Sequence, residues 1–183
     1  MNEVRIIGGA LRGRKIHFHA VDGLRPTLDR ARETLFNWLM LKVPEAVCLD
    51  AFAGSGVLGF EALSRGSARV DFVEKNHAAV SALKRNQTQL AVAARSHILE
   101  SSALQVLAAA PAYAYDLIFL DPPFASDLLQ EALTLIATSS CLKPGGFVYF
   151  EAKKSLNLDW GAVWTEHRRK VMGEVQFGLI QQL

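Results

Sequence analysis

Apolar positions follow two different periods along this 183-residue chain. From residue 47 onward, short apolar runs alternate with segments whose apolar residues recur at helical spacing. The predicted strands are Val47–Ala51, Arg69–Glu74, His97–Leu99, Leu117–Leu120 and Gly146–Glu151, and the predicted helices are Val57–Ser64, His77–Val92, Ser102–Ala109 and Leu128–Thr138. Strands that alternate with helices predict an α/β fold with a mostly parallel, doubly wound sheet.

The two ends of the chain show a different pattern. Val4–Ile7 and Arg14–Phe18 predict a β-hairpin, with Gly8-Gly9 in the turn, and a helix over 28–41 follows with Thr27 as its N-cap. At the other end, Val163–Val171 and Val175–Gln181 predict an antiparallel hairpin, and Lys143–Gly146 predicts a turn before the fifth strand. We therefore divide the chain into an N-terminal extension, residues 1–44, and a main domain, residues 45–183.

Composition narrows the class of protein. Half of the residues are apolar, but no run approaches the roughly 20 residues of a membrane span, and the N-terminus lacks a signal-peptide pattern. Cys48 and Cys141 lie far apart in apolar runs and indicate reduced core thiols of a cytoplasmic protein. His17 and His19 share a strand face, but no further ligand spacing supports a metal site. We expect a monomer without a metal.

Charge is concentrated at the N-terminus. The whole chain carries a formal charge of +2, whereas residues 1–32 hold seven basic and three acidic side chains. A basic arm on a near-neutral body is typical of a surface that binds a polyanion. A solvated charged face is the alternative interpretation. The basic residues are Arg5, Arg12, Arg14, Lys15, Arg25, Arg30 and Arg32.

The most informative stretch is the predicted strand Leu117–Leu120 with the residues after it, Asp121-Pro122-Pro123-Phe124. Two consecutive prolines cannot donate to a sheet ladder, so they end the strand in a stiff turn. Ligands of open α/β sheets bind beyond such strand ends. There the Asp121 carboxylate and the Pro122 carbonyl can accept both hydrogens of an exocyclic amine, while Phe124 stacks on its base. An ordinary turn, in which Asp121 caps a helix, is the alternative.

A glycine-rich loop, Asp50–Gly56, follows the strand Val47–Ala51. Its glycines fit the G-x-G-x-x-G pattern, and Glu74 follows at the spacing of a ribose-binding acid, which by itself also fits a dinucleotide oxidoreductase. However, Asp50 would repel a pyrophosphate, whereas the sulfonium and ammonium groups of S-adenosylmethionine favour a nearby carboxylate. Together with Asp121 and its neighbours, the loop predicts an S-adenosylmethionine-dependent amino-group methyltransferase.

At these motifs the chain resembles the RsmD-type methyltransferases, which modify a guanine N2 amine in 16S ribosomal RNA of the small subunit. The resemblance covers nearly the whole chain. It is carried by Arg5–Gly9 with Arg12-Gly13-Arg14, by Arg25–Asn37, by Asp50–Gly66, by Val73-Glu74, by Asn86 and by Asp121–Phe124. It implies the class I, Rossmann-like methyltransferase fold, in which a C-terminal antiparallel hairpin closes the sheet.

The resemblance also implies roles for individual residues. Glu74 would hold the ribose hydroxyls, Asp50 with its loop the methionine part, and Arg25, Thr27 and Arg30 would close the cofactor site and meet RNA. Ser102 departs from the family pattern, because many relatives place Asp or Asn there to hold the adenine amine. The predicted catalytic residues are Asp121, Pro122 and Phe124, and the predicted cofactor-binding residues are Thr27, Asp50, Phe52, Ala53, Gly54, Ser55, Gly56, Glu74, Ser102 and Asp121. The seven basic residues above are the RNA-binding candidates.

Two other functions stay open at this stage. Similar motifs serve enzymes that methylate adenine or cytosine in DNA or other RNA, but those usually carry a sizeable target-recognition domain. The short basic arm of this chain suits RNA whose target base is already exposed. A non-catalytic RNA-binding protein with a vestigial cofactor fold is the second alternative, and the intact Asp121 and glycine loop oppose it. The expected partner is small-subunit ribosomal RNA within a ribonucleoprotein assembly.

Overall fold

The computed structural model describes residues 2–18, 29–124 and 127–183. Its strands are β1 Asn2–Arg5, β2 Lys15–Phe18, β3 Val47–Asp50, β4 Arg69–Glu74, β5 Ser96–Glu100, β6 Tyr115–Leu120, β7 Leu142–Lys153, β8 Trp164–Met172 and β9 Val175–Gln182. Its helices are α1 Asp29–Trp38, α2 Val57–Ser64, α3 His77–Gln89, α4 Ala103–Ala109 and α5 Leu128–Ser139. Thr27, the predicted N-cap, and Arg25 lie outside the described residues.

The main sheet has seven strands in the order β5-β4-β3-β6-β7-β9-β8. The first five run parallel, whereas β9 is antiparallel to both β7 and β8. The chain builds outward from β3 to β5 and then returns to place β6 on the other side of β3. That reversal of strand order creates the crevice in which open α/β sheets bind ligands. The Rossmann-like fold and its closing C-terminal hairpin are confirmed.

Two hydrophobic cores lie on the two faces of this sheet. The first joins α1, α2 and α3 to strand residues such as Leu117 and Phe119, and the second joins α4 and α5 to Ile118 and Leu120. Consecutive residues of β6 thus enter opposite cores, because successive side chains of a strand point to opposite faces. Burial on both faces explains why β6 is apolar without interruption.

The N-terminal hairpin is bonded to the main sheet's helices through side chains of α2 and α3. Asn86 of α3 accepts from the backbone nitrogen of His17 at 3.0 Å and donates to its carbonyl at 2.8 Å, so it extends the β2 ladder. Glu61 of α2 has no exposed surface and accepts from the nitrogens of Ile7 at 2.9 Å and Gly8 at 2.8 Å. The N-terminal extension is therefore packed onto the main domain.

Gly9 shows why glycine is needed in this connection. Its φ is +76°, and a Cβ added there would stand 1.9 Å from the carbonyl oxygen of Ser64. Glycine therefore lets the backbone approach the end of α2 closely, where Ala10 also donates to the Ser64 carbonyl at 2.7 Å.

Predicted boundaries were wrong at four elements. The strand predicted at Val4–Ile7 covers Asn2–Arg5, and the helix predicted over 28–41 ends at Trp38. Lys143–Gly146 was expected to form a turn, but it lies inside β7, which pairs Leu142 with Tyr115 and then Phe147 with Leu117. The intervening residues form a bulge in which Gly145 adopts a φ of +76°. The predicted helix His77–Val92 ends at Gln89, because Ala91 takes a φ of +56° before the short 3₁₀ turn Ala93–Arg95.

Both cysteines are buried and unpaired, as predicted. Burial raises the pKa of the Cys48 thiol far above its usual value, which keeps it protonated. In the described part of the chain, each helix is too short or too polar to cross a membrane.

Candidate active site

The glycine loop and the Asp121 turn lie side by side at the carboxyl edge of the sheet. β3 and β6 pair directly, with Asp50 opposite Phe119, and each strand then enters one of these two segments. Backbone hydrogen bonds hold the loop to the strands on both sides of β3. Ala51 donates to the Phe119 carbonyl of β6 at 3.1 Å, and Ala53 donates to the Val73 carbonyl of β4 at 2.9 Å. Strand pairing therefore brings together two motifs that are about 70 residues apart in the sequence.

Asp50 anchors the helix that follows the loop. Its side chain is buried and its Oδ2 accepts from the backbone nitrogen of Gly59 at 3.0 Å, in the first turn of α2. Gly56, the residue at the helix N-cap, has no side chain to do this. Burial raises the pKa of the Asp50 carboxyl from its ordinary value of 3.8 to about 7; the bond from Gly59 opposes this rise, and the charge of Glu74 adds to it. A nearby cation would favour the ionised form.

Glu74 lies at the end of β4 and contacts the glycine loop. Its Oε2 accepts from the Gly54 nitrogen at 3.0 Å and its Oε1 accepts from the Asn76 nitrogen at 2.7 Å. The side chain is half-buried, and each carboxylate oxygen has a second lone pair for a further partner. The structure thus brings Glu74 into contact with Gly54, the glycine that it follows at the spacing typical of a ribose-binding acid. The predicted bond to ribose stays a prediction.

The other predicted cofactor-binding residues lie along the same carboxyl edge of the sheet. Gly56 has a φ of +78°, and a Cβ there would stand 2.5 Å from Leu83, so this turn requires glycine. Ala53 and Ser55 are buried, and Phe52 packs against the second core. Ser102 directly follows Ser101, which donates to the Glu74 carbonyl at 3.2 Å.

Ser102 already has a structural task as the N-cap of α4. Its hydroxyl oxygen accepts from the Gln105 nitrogen at 3.2 Å. One lone pair and the hydroxyl proton remain for a further partner. A contact with adenine is therefore compatible with the cap, and it remains a prediction.

The residues after β6 form an extended turn. Asp121 and Phe124 are half-buried, Pro122 is buried and Pro123 is exposed. Burial raises the pKa of the Tyr149 phenol, and the carboxylate of Glu151, which accepts from the Tyr149 hydroxyl at 2.6 Å, adds to this rise. The charge of Asp121 also contributes, so Asp121 lies near Tyr149.

Glu151 and Tyr149 were missed by the sequence reasoning. Glu151 is only 5% exposed and stands one residue beyond Phe150, the partner of Leu120, so it lies beside Asp121. The available signal was an acidic residue at the end of an otherwise apolar strand. Two carboxylates, from Asp121 and Glu151, thus lie at this edge near the pair formed by Asp50 and Glu74.

The basic residues occupy two different environments. Arg5, Arg12, Arg14 and Arg30 are exposed and Lys15 is half-exposed. Arg14 donates to the Gln89 carbonyl at 2.6 Å and Lys15 pairs with Glu3 at 2.8 Å. Arg32 differs, because its side chain has no exposed surface, and a surface role does not fit that position.

Comparisons with known proteins agree with this architecture. Residues 4–181 match the family described as Conserved hypothetical protein 95. The Ribosomal RNA small subunit methyltransferase D of Haemophilus influenzae is 42% identical over 181 residues, which cover 98% of this chain and 94% of that protein. A solved structure of a proposed Escherichia coli methyltransferase has a TM-score of 0.88 and 37% identity, and it covers 99% of this chain and 98% of its own.

A more distant neighbour shares the fold alone. It is the Thermus thermophilus 16S rRNA N2 G1207 methyltransferase, solved with AdoMet and guanosine, at 21% identity and a TM-score of 0.75. The alignment covers 99% of this chain and 49% of that one. The family match over almost the whole chain and the 42% identical relative show that this chain belongs to the Conserved hypothetical protein 95 family, that of the RsmD-type methyltransferases.

Proposed function

We propose that this methyltransferase transfers a methyl group from S-adenosylmethionine to the N2 amine of a guanine in small-subunit ribosomal RNA. The observation that carries the proposal is the direct pairing of β3 with β6. Neighbouring strands are about 4.8 Å apart, so the glycine loop and the Asp121 turn can serve one donor and one acceptor. The ribosomal RNA methyltransferase of Haemophilus influenzae, 42% identical, supports the substrate class.

The crevice fits S-adenosylmethionine by the chemistry of its side chains. This cofactor supplies a methyl group on a sulfonium, which is an electrophile. Glu74, held by the Gly54 nitrogen, offers carboxylate oxygens to ribose hydroxyls. Asp50 offers negative charge to the ammonium and sulfonium groups, and their approach would lower the pKa that burial has raised. Ser102, beside Glu74, is the side chain for the adenine amine.

The Asp121 turn suits an amine acceptor. The guanine amine is a poor nucleophile because its lone pair is delocalised into the ring. The Asp121 carboxylate and the Pro122 carbonyl would accept its two hydrogens and so turn the lone pair toward the methyl group. Phe124, half-buried beside them, would stack on the extruded base. Most of the acceleration would come from positioning, since no strong general base is required.

The N-terminal extension, residues 1–44, would guide the RNA to the main domain, residues 45–183. Its exposed cations Arg5, Arg12 and Arg14 lie on the hairpin that Asn86 and Glu61 fix to the body. Arg30 lies at the exposed start of α1. A cationic hairpin held at a fixed position would orient the phosphate backbone relative to Asp121. We further propose that a monomer acts on RNA within a ribonucleoprotein particle.

The test is methyl transfer from labelled S-adenosylmethionine to three substrates from cells that lack the gene: free RNA, small-subunit particles and DNA. Nucleoside digestion then identifies the product. N2-methylguanosine in small-subunit RNA is the expected result, with particles preferred over free RNA. Label on adenine, cytosine or DNA would overturn the acceptor assignment and keep the cofactor assignment. Absence of label with all substrates, while cofactor still binds, would favour the non-catalytic alternative.

A further inference from the structure

Strand β8 ends the main sheet on the side away from β5, and it carries a run of exposed residues. Every residue from Thr165 to Val171 is exposed. The ring of Trp38 in α1 lies 5.7 Å from that of Phe177 in β9, so the helical layer reaches β9 and leaves the next strand open. Three consecutive cations, Arg168–Lys170, stand on this uncovered edge strand.

A β-bulge at His167 decides which way these cations point. Glu166 pairs with Ile180 and the next pair is Arg168 with Leu179, which leaves His167 as the extra residue. Residues directly opposite in an antiparallel pair share a face of the sheet. Leu179 belongs to the first core, so Arg168 lies on the face covered by α1, α2 and α3. Without the bulge Arg168 would lie on the other face, because a shift of one residue reverses every side chain.

The three cations divide between the two faces of the sheet. Lys170 is opposite Phe177 of the first core, so it shares a face with Arg168. Arg169 lies on the opposite face, where its Nε pairs with Glu166 at 2.8 Å. In the described part of the chain, neither Arg168 nor Lys170 forms an ion pair. Two charges that no carboxylate neutralises therefore stand on the face of the first core.

Strand register places Lys170 at the level of the Asp121 turn. Asp121 lies beside Glu151, because the residues that precede them are paired. Glu151 is opposite Phe177 in β9, and Phe177 is opposite Lys170 in β8. The row thus runs from Asp121 across β7 and β9 to Lys170, three interstrand spacings or about 14 Å away. These cations therefore lie near the carboxyl edge, where the proposed acceptor would bind.

β8 and the N-terminal hairpin lie on opposite sides of Asp121. The hairpin is bonded to α2 and α3, which pack on β3, β4 and β5. In the sheet, β6 stands between those strands and β7, β9 and β8. Both groups of cations lie on the face that bears the first core. An RNA chain with its target base at Asp121 can therefore meet the hairpin on one side and β8 on the other.

We propose that Arg168 and Lys170 bind phosphates of the substrate RNA on the side of the target base opposite the N-terminal hairpin, an inference that rests on the proposed function. Phosphate contacts fix the register of a nucleic acid on a protein and carry no sequence information. Two cations without a carboxylate partner attract a polyanion more strongly than the neutralised Arg169 does. A protein strand that adds to the edge is the competing partner, but the bulge and the charges of β8 oppose such pairing.

The three adjacent cations provide variants that change the net charge equally. Filter binding across salt concentrations would measure the affinity of the full chain, without cofactor, for free 16S ribosomal RNA and for small-subunit particles, both from cells that lack the gene. Arg168→Gln and Lys170→Gln should each lower the salt slope by roughly 0.7–0.9 on both substrates, and the double variant by roughly twice as much. Arg169→Gln, the matched control on the other face, should keep the wild-type slope.

Cross-linking would locate the contact on the RNA. Cys48 and Cys141 are buried, so a photoreactive group can be attached selectively to an introduced cysteine. Lys170→Cys should cross-link to nucleotides near the target guanine, and these should differ from the nucleotides that Arg12→Cys in the hairpin reaches. Arg169→Cys should give little cross-linking. Cross-links from Lys170→Cys and Arg12→Cys to the same nucleotides would overturn the placement.

Other outcomes separate this inference from simpler ones. Equal losses in all three glutamine variants would indicate general electrostatic attraction and would overturn it. Weaker binding to particles with unchanged binding to free RNA would identify a protein partner, which also overturns it. Unchanged RNA binding with increased aggregation would mean that the charges only protect the sheet edge, again against the proposal. If the expected slopes are found but no N2-methylguanosine forms, the proposed function fails while this binding surface stands.

Discussion

The carboxylate of Glu74 accepts a hydrogen bond from the backbone nitrogen of Gly54, 3.0 Å away and 20 residues earlier in the chain. This bond joins the end of β4 to the loop after β3 and fixes the loop in front of the crevice. The same carboxylate is the group proposed to bind the ribose hydroxyls. Loop geometry and cofactor affinity therefore depend on one side chain, and substitutions can separate the two contributions.

Glu74→Gln should weaken S-adenosylmethionine binding about 10- to 100-fold, because it removes a charged acceptor. Its amide oxygen can still accept from Gly54 but its amide nitrogen cannot accept from Asn76, so the melting temperature should fall less than in Glu74→Ala. Glu74→Ala loses both contributions and should weaken binding further and lower the melting temperature. Calorimetry and thermal unfolding check this, with Glu131→Gln, an exposed acid on α5, as the control. Unchanged affinity in Glu74→Gln would remove Glu74 from the ribose site.

Asp50 should make stability depend on pH. Its pKa is raised to about 7 in the folded protein from 3.8 as an ordinary carboxyl. The protonated carboxyl stabilises the folded state below about pH 4. This contribution to the free energy of unfolding, roughly 4 kcal/mol at most, is lost as the pH rises to about 7. Asp50→Asn does not titrate and keeps an acceptor for Gly59. Denaturant unfolding of both proteins at pH 4 and pH 8 measures the difference, and parallel pH curves would contradict it.

Asp121→Ala should reduce methyl transfer by at least about 10³-fold while the cofactor dissociation constant changes much less, because the proposed contacts position the acceptor amine. Asp121→Asn keeps an acceptor oxygen and should retain more activity than Asp121→Ala. Single-turnover transfer and calorimetry separate the two effects. Asp127→Asn, an exposed aspartate six residues later, is the control. Activity retained in Asp121→Ala would refute the assignment.

Gly9 and Gly13 form a matched pair for testing how the hairpin is attached. Both have positive φ, +76° and +82°, but a Cβ at Gly9 collides with Ser64, whereas nothing lies within 4 Å of one at Gly13. Gly13→Ala should destabilise by about 1 kcal/mol through backbone strain alone. Gly9→Ala should add about 1–3 kcal/mol through overpacking. Chemical unfolding gives both values, and equal values would mean that the contact with α2 contributes little.

Arg12 should contribute to RNA affinity through phosphate rather than through a base. Arg12→Gln should weaken binding to different RNA sequences by similar factors and lower the salt slope by roughly 0.7–0.9 for the lost contact. Cofactor affinity should stay unchanged. Filter binding across salt concentrations measures the slope, with Lys84→Gln as the control for net charge. A sequence-dependent loss would indicate that Arg12 contacts a base.

The sequence determined the order and nature of nearly all the elements. Val57–Ser64 and Arg69–Glu74 were predicted with the observed boundaries, because Gly56 and Gly66 in the flanking turns separate these two segments from their neighbours. The glycine loop and the Asp121 turn could also be predicted, since each is a contiguous motif. Boundaries failed where the sheet overrode local signals, as at Lys143–Gly146, which pairing with β6 keeps within β7.

Tertiary structure alone decided what distant side chains do to one another. Glu61 looks like an ordinary helix residue in the sequence, but it is buried beneath the backbone of Ile7 and Gly8. Arg32 belongs to a basic run in the sequence, yet packing of α1 buries it with two unpartnered nitrogens. Burial and pairing depend on contacts between segments far apart in the chain. Local propensity and spacing carry no information about such contacts, so the environment of each charge emerged only from the fold.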